Sequence, residues 1–152
     1  MQRNKEIFAS HSLHEVTMNY PMRAVRTNKF KLIHNLNYKA PFPIDQDFYL
    51  SLSFQDILNR TINNLPLPWS RSLQSYYYRP EWELFDLSMD KKEVKNIAYN
   101  STFSEVFSDL KKRLWRFQNK SNDPWICGLG AVFENSGTFK QKPRCLPLYN
   151  GL

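Results

Sequence analysis

The feature that most limits how this chain can fold is the stretch from Thr102 to Phe117. There Phe103, Val106, Phe107, Leu110, Leu114 and Phe117 recur at spacings of three and four and lie on one stripe of a helix. A stripe this aromatic must be buried against another layer. Thr102 and Glu105 form a capping-box pattern that starts the helix. Its opposite face carries Lys111, Lys112, Arg113 and Arg116, and much of the chain's net charge of +7 lies in this region. Such a balance favours polyanionic partners without choosing among them.

The layer to be covered is read from the first half of the chain. Residues 1–20 show no clear period, and the first strand begins after Pro21, with Met22, Ala24 and Val25 competing for its inner face. Asn28-Lys29 is a two-residue turn into Phe30–Asn35, where Phe30, Leu32 and His34 share one face, so a β-hairpin is expected. Ala40-Pro41-Phe42-Pro43 breaks regular structure, and a loop is expected to about Leu52. Ser53 then caps a helix to about Leu65 with Phe54, Ile57, Leu58, Ile62 and Leu65 inward, ended by Pro66 and Pro68. Trp82–Leu87 reads as another strand, and the tail from Asn122 as coil rich in Pro and Gly. The expected class is α+β: a small antiparallel sheet packed against a long C-terminal amphipathic helix. The second sheet face has no evident cover, which suits a unit that rests against a larger domain.

Several chemistries are excluded. All four glycines, Gly128, Gly130, Gly137 and Gly151, come late in the chain, so no glycine-rich phosphate loop follows an early strand. No apolar run reaches the length that spans a bilayer, and the first residues have no apolar stretch behind their charges. Three histidines and two cysteines lack the paired spacings of structural zinc sites, and His14-Glu15-Val16-Thr17-Met18 has Met where a metalloprotease helix needs its second histidine. Aromatics are not interleaved with the basic stripe as single-stranded nucleic-acid binders require. Cys127 and Cys145 admit either a disulfide in an oxidising compartment or two reduced thiols. Sequons stand at Asn59, Asn100 and Asn119, a number that chance placement nearly explains.

The run Ser10-His11-Ser12-Leu13-His14-Glu15-Val16-Thr17-Met18, continuing through Tyr20–Thr27, resembles the C-terminal region of sulfatases. Pro41–Tyr49, Phe54–Thr61, Trp82–Asp86, Asp123–Cys127 and Cys145–Asn150 are similar to its heparan N-sulfatase (sulfamidase) branch. Asp90-Lys91-Lys92-Glu93 departs from the Asp-Pro-x-Glu common there, losing a helix-starting proline. The resemblance implies a C-terminal part of a lysosomal hydrolase that removes N-linked sulfate from glucosamine of heparan sulfate, with a signal peptide upstream. Residues 1–20 would be the connection from the catalytic domain and an edge of the cleft, and residues 21–152 the C-terminal α+β domain.

Further implications are a Cys127–Cys145 disulfide, glycans at sequons with Asn59 foremost, a homodimer, and contact with the chain's own catalytic domain. The formylglycine nucleophile and calcium site of the family belong to that domain; this chain is expected to bind no cofactor or metal and to hold no catalytic residue. Cys145-Leu146-Pro147-Leu148-Tyr149 copies part of the Cys-x-Pro-x-Arg signature with Tyr for Arg and is read as a decoy. Candidate cleft residues are His11, His14, Glu15 and Arg23: imidazolium and guanidinium suit an anionic sulfamate. The competing reading makes them polar residues bonding an interdomain turn, and Arg23 and Arg26 partners in ion pairs. Asp45-Gln46-Asp47 is read as solvated loop. The alternative function is a non-catalytic heparan-binding module that uses Lys111, Lys112, Arg113 and Arg116.

Overall fold

The computed structural model describes residues 6–13 and 19–148. Four antiparallel strands form one sheet in the order β1 (Glu6–Leu13), β2 (Asn19–Thr27), β3 (Phe30–Asn35), β4 (Trp82–Asp86). The expected hairpin is β2–β3: Arg26 lies opposite Lys31, and the Thr27 hydroxyl accepts the N–H groups of Lys29 and Phe30 that the turn leaves unpaired. Residues 6–13 are a strand despite having no clear period. They form the edge of the sheet, one of whose faces they share only partly, so no strict alternation marks them. The expected domain limit after residue 20 falls inside β2.

Val25 wins the competition for the inner face. It stands opposite Leu32, which stands opposite Leu84, and all three are fully buried with Leu110 and Leu114 of α4 (Ser104–Lys120) above them. Alternation then sends Tyr20, Ile33, Asn35, Glu83 and Phe85 to the opposite face. That face is covered, contrary to expectation: Tyr20 meets the Phe42 ring edge-on, Asn35 donates to the Pro80 carbonyl, and Arg71 pairs with Glu83. The cover is the segment between β3 and β4, whose helices α1 (Gln46–Leu50), α2 (Leu52–Ile62) and α3 (Leu73–Tyr77) build a second core around Phe54, Ile57 and Leu73. Its short, proline-broken helices carry too little periodicity to announce a layer.

Four local expectations change. The loop to Leu52 contains α1, which Asp45 caps by accepting the Phe48 N–H, so Asp45-Gln46-Asp47 is a helix start and not a solvated loop. Ser51, not Ser53, caps α2 through the Phe54 N–H, and the helix stops at Ile62. Ile62, in the last helical turn, is 70% exposed, and Leu65 is 50% exposed because Asn64 takes φ 53° and turns the chain away before Leu65 can join the stripe. Ser51→Ala should lower unfolding free energy by about 1 kcal/mol, read by denaturant titration. No change would show that the helix start is held by packing alone.

Ahead of α4, Asn100 accepts the Thr102 N–H and opens a 3-10 turn over Ser101–Phe103, so the expected capping box of Thr102 with Glu105 does not form. The tail is not all coil. Strands β5 (Ala131–Glu134) and β6 (Arg144–Pro147) pair antiparallel, and the Cys127–Cys145 disulfide ties them to the end of the main layer. No helix among the described residues is long and apolar enough to cross a membrane.

Candidate functional site

Two of the sequence candidates, His11 and Arg23, meet at the end of the sheet where β1 pairs with β2. Arg23 shares the face of Val25 but lies one step beyond the apolar core, past Leu114, where α4 runs out. The helix ends in a Schellman turn: the Asp123 N–H reaches the Gln118 carbonyl and the Asn122 N–H the Asn119 carbonyl, with Asn122 at φ 51°. Asparagine adopts that left-handed backbone more readily than most residues. The turn aims Asp123 back at the sheet.

Arg23 and Asp123 are 5% and 7% exposed and meet two-pronged. Arg23 Nε donates to Asp123 Oδ2 at 2.5 Å and Nη2 to Oδ1 at 2.8 Å. The remaining nitrogen, Nη1, donates to the His11 carbonyl at 3.0 Å, the Met22 carbonyl at 2.9 Å and the Ser12 hydroxyl at 3.3 Å. Asp123 also accepts from the Trp125 N–H and the Gln118 amide. Burial alone would push the Asp123 carboxyl up, but the Arg23 hydrogen bond, the Trp125 N–H, the Arg23 charge and Gln118 outweigh it and hold the group below the ordinary carboxylate range. The network fastens edge strand, second strand and helix end at one point.

Of the four cleft candidates, the structure brings His11 and Arg23 together through the His11 carbonyl, while His14 and Glu15 lie outside the described residues. His11 Nε2 is buried and has no hydrogen-bond partner among the described residues. Both donors with which Arg23 would grip a sulfate two-pronged are on Asp123, so an anion there must displace that carboxylate. Arg26 is exposed, opposite Lys31. Asp123 escaped sequence reasoning, although an Asn just before it, at the end of the amphipathic stripe, is the kind of helix stop that reverses the chain.

The other nominated residues are scattered. Asn59, Asn100 and Asn119 are all exposed, on α2, before α4 and on α4. Cys145 is bonded to Cys127 and has no free thiol to offer. No group of three His, Cys, Asp or Glu side chains among the described residues is placed to hold a metal. The basic face divides: Lys111 lies 4.9 Å over the Trp82 ring, which His34 stacks at 3.8 Å, and Arg113 pairs with Asp109 and Glu6. Burial keeps the His34 imidazole below its ordinary range even with Glu81 at 3.5 Å. Among the described residues Arg116 bonds only its own helix, to the Lys112 carbonyl.

No family model matches the chain. It is 48% identical over 146 residues, 96% of its length, to N-sulphoglucosamine sulphohydrolase of Homo sapiens, and spans 28% of that relative. It is 29% identical over 120 residues, 72% of its length, to an ulvan-active sulfatase of Formosa agariphila, and spans 17% of it. Among solved structures, a 2-O GAG sulfatase aligns with 80% of this chain and 17% of its own at TM-score 0.49 and 16% identity. A second, solved with D-glucosamine-2-N,6-O-disulfate as its substrate, aligns with 79% of this chain and 17% of its own at TM-score 0.45 and 22% identity.

Proposed function

We propose that this chain, which belongs to the sulfatase family, works as the C-terminal unit of a lysosomal sulfamidase that hydrolyses N-linked sulfate from glucosamine of heparan sulfate. The observation that carries the reading is the 48% identity to human N-sulphoglucosamine sulphohydrolase along 96% of the chain. In this reading the unit closes one side of the substrate cleft with the β1–β2 end and contributes to a homodimer interface. The formylglycine nucleophile and the calcium ion belong to the catalytic domain. The residues here do not fit either group: Cys145 is held in the disulfide, and no acidic cluster is assembled among the described residues. Of the cleft candidates among the described residues, His11 lies beside the Arg23–Asp123 pair, and His14 and Glu15 follow it in sequence.

A chimera tests the proposal. With the matching segment of the human relative replaced by this chain, release of sulfate from N-sulfoglucosamine is expected to persist at acidic pH. A chimera that is secreted and folded but lacks this turnover, while hydrolysing another sulfated sugar, overturns the substrate reading. The purified 152-residue chain is expected to show no turnover. Turnover by it would overturn the division between catalytic domain and this unit.

A further inference from the structure

The edge strand and the long helix enclose a groove that the cleft reading does not use. Between β1 and α4 lies a cavity of about 430 Å³ lined by Glu6, Phe8, Arg113, Arg116, Phe117 and Lys120. Its floor is the Phe8–Phe117 pair, with ring centroids 4.2 Å apart and planes 2° from parallel. Its helix wall is cationic at i, i+3 and i+7. The ladder formed by Arg113, Arg116 and Lys120 sets like charges at helix spacings that repel.

The three cations are not alike. Arg113 is occupied: Nη1 donates to Glu6 Oε2 at 3.1 Å and Nε to Asp109 Oδ2 at 2.9 Å. Neither Arg116 nor Lys120 has a carboxylate partner among the described residues, and both are exposed. Among the described residues Glu6 is the one acid lining the groove, and it is spent on Arg113. Two cations one helical turn apart, with no carboxylate partner among the described residues and beside an apolar ring surface, match a ligand with anionic groups spaced along an apolar-faced backbone. A sugar ring offers C–H faces to aromatics, and sulfates suit guanidinium and ammonium donors.

We propose that the β1–α4 groove binds a sulfated saccharide, with Arg116 and Lys120 on the sulfates and the Phe8–Phe117 edge against a sugar ring. The proposal deepens the heparan reading by adding a binding site on this unit. It narrows the basic helix face to its C-terminal half, because Lys111 is engaged with Trp82.

The test is calorimetric titration of the purified chain with a heparin hexasaccharide, alongside a single-stranded DNA oligomer of equal charge. R116E/K120E is expected to weaken hexasaccharide binding at least about tenfold, because opposed charges become like charges. K91E/K92E, an equal charge change on an exposed turn away from the groove, should change it less than about twofold. Equal losses in both double variants, no binding by the parent chain, or DNA bound as tightly as the saccharide would each overturn the proposal. Circular dichroism confirms that the charge variants fold; should R116E/K120E fail to, R116Q/K120Q carries the same comparison. In the chimera, R116E/K120E should leave turnover of an N-sulfated monosaccharide unchanged, so that failure of this site and failure of the sulfamidase reading give different results.

Discussion

Replacing Arg23 or Asp123 by alanine is expected to lower the unfolding free energy by about 3–5 kcal/mol, because either change leaves its partner's charge buried and unpaired. The pair is 5% and 7% exposed, and Arg23 also holds the His11 and Met22 carbonyls. For a domain of this size the melting temperature should fall by roughly 6–20 °C. The double variant R23M/D123L should cost less than either single change, since shape-matched apolar groups strand no charge. Single-variant losses below about 1 kcal/mol would mean that the pair is solvated and contributes little.

The same pair sets an acid limit. Asp123 is depressed in the folded chain relative to its ordinary value of 3.8, so the unfolded chain binds more protons there as pH falls. Its contribution is therefore complete above about pH 4 and is lost as pH drops through the folded value. The stability gap between the parent chain and R23M/D123L should be flat from pH 7 to pH 5 and change only below about pH 4. A gap that moves between pH 5 and pH 7 would assign the dependence to another group, with His34 the first to test.

C127S/C145S is expected to cost about 3 kcal/mol, from the chain entropy that an 18-residue separation returns to the unfolded state. The loss should fall mainly on the tail. β5 and β6 form a two-stranded sheet of their own, and an isolated hairpin is marginal in water. Hydrogen exchange in the variant should therefore rise first at Ala131–Glu134 and Arg144–Pro147, with β2–β4 protected. Uniform exposure of the whole chain would show that the bridge anchors the main core. An unchanged melting temperature, or free thiols in the parent chain, would remove the bridge from the stability account.

The parts legible in sequence share a physical cause. The α4 stripe and the β2–β3 hairpin are local and periodic: burial on one side of a regular element imposes a 3.6- or two-residue pattern that chemistry alone reveals. The resemblance in Ser10–Thr27 and Cys145–Asn150 likewise brought the family and the cysteine pairing within reach, since both belong to the string of residues. β1 was hidden because an edge strand is buried on part of one face, and α1 and α3 because five-residue helices show too few turns of pattern, whereas the longer α2 was legible from its Phe54, Ile57 and Leu58 spacing. Ser51 displaced Ser53, and Asn100 displaced Thr102, because each cap depends on which residue leaves helical geometry, not on which one has a hydroxyl.

The candidate site divides along the same line. Sequence nominated Arg23 and the basic face by residue type. That Arg23 is committed to a residue 100 positions away, that Glu6 quiets Arg113, and that Lys111 rests on Trp82 are matters of long-range approach. By itself, then, the sequence determined the family, the α+β class and the elements that carry their own period. Tertiary structure alone decided which charges are neutralised and which remain free, because a charge's role depends on the groups folding brings within a few ångströms, and these pairings leave no period in the chain.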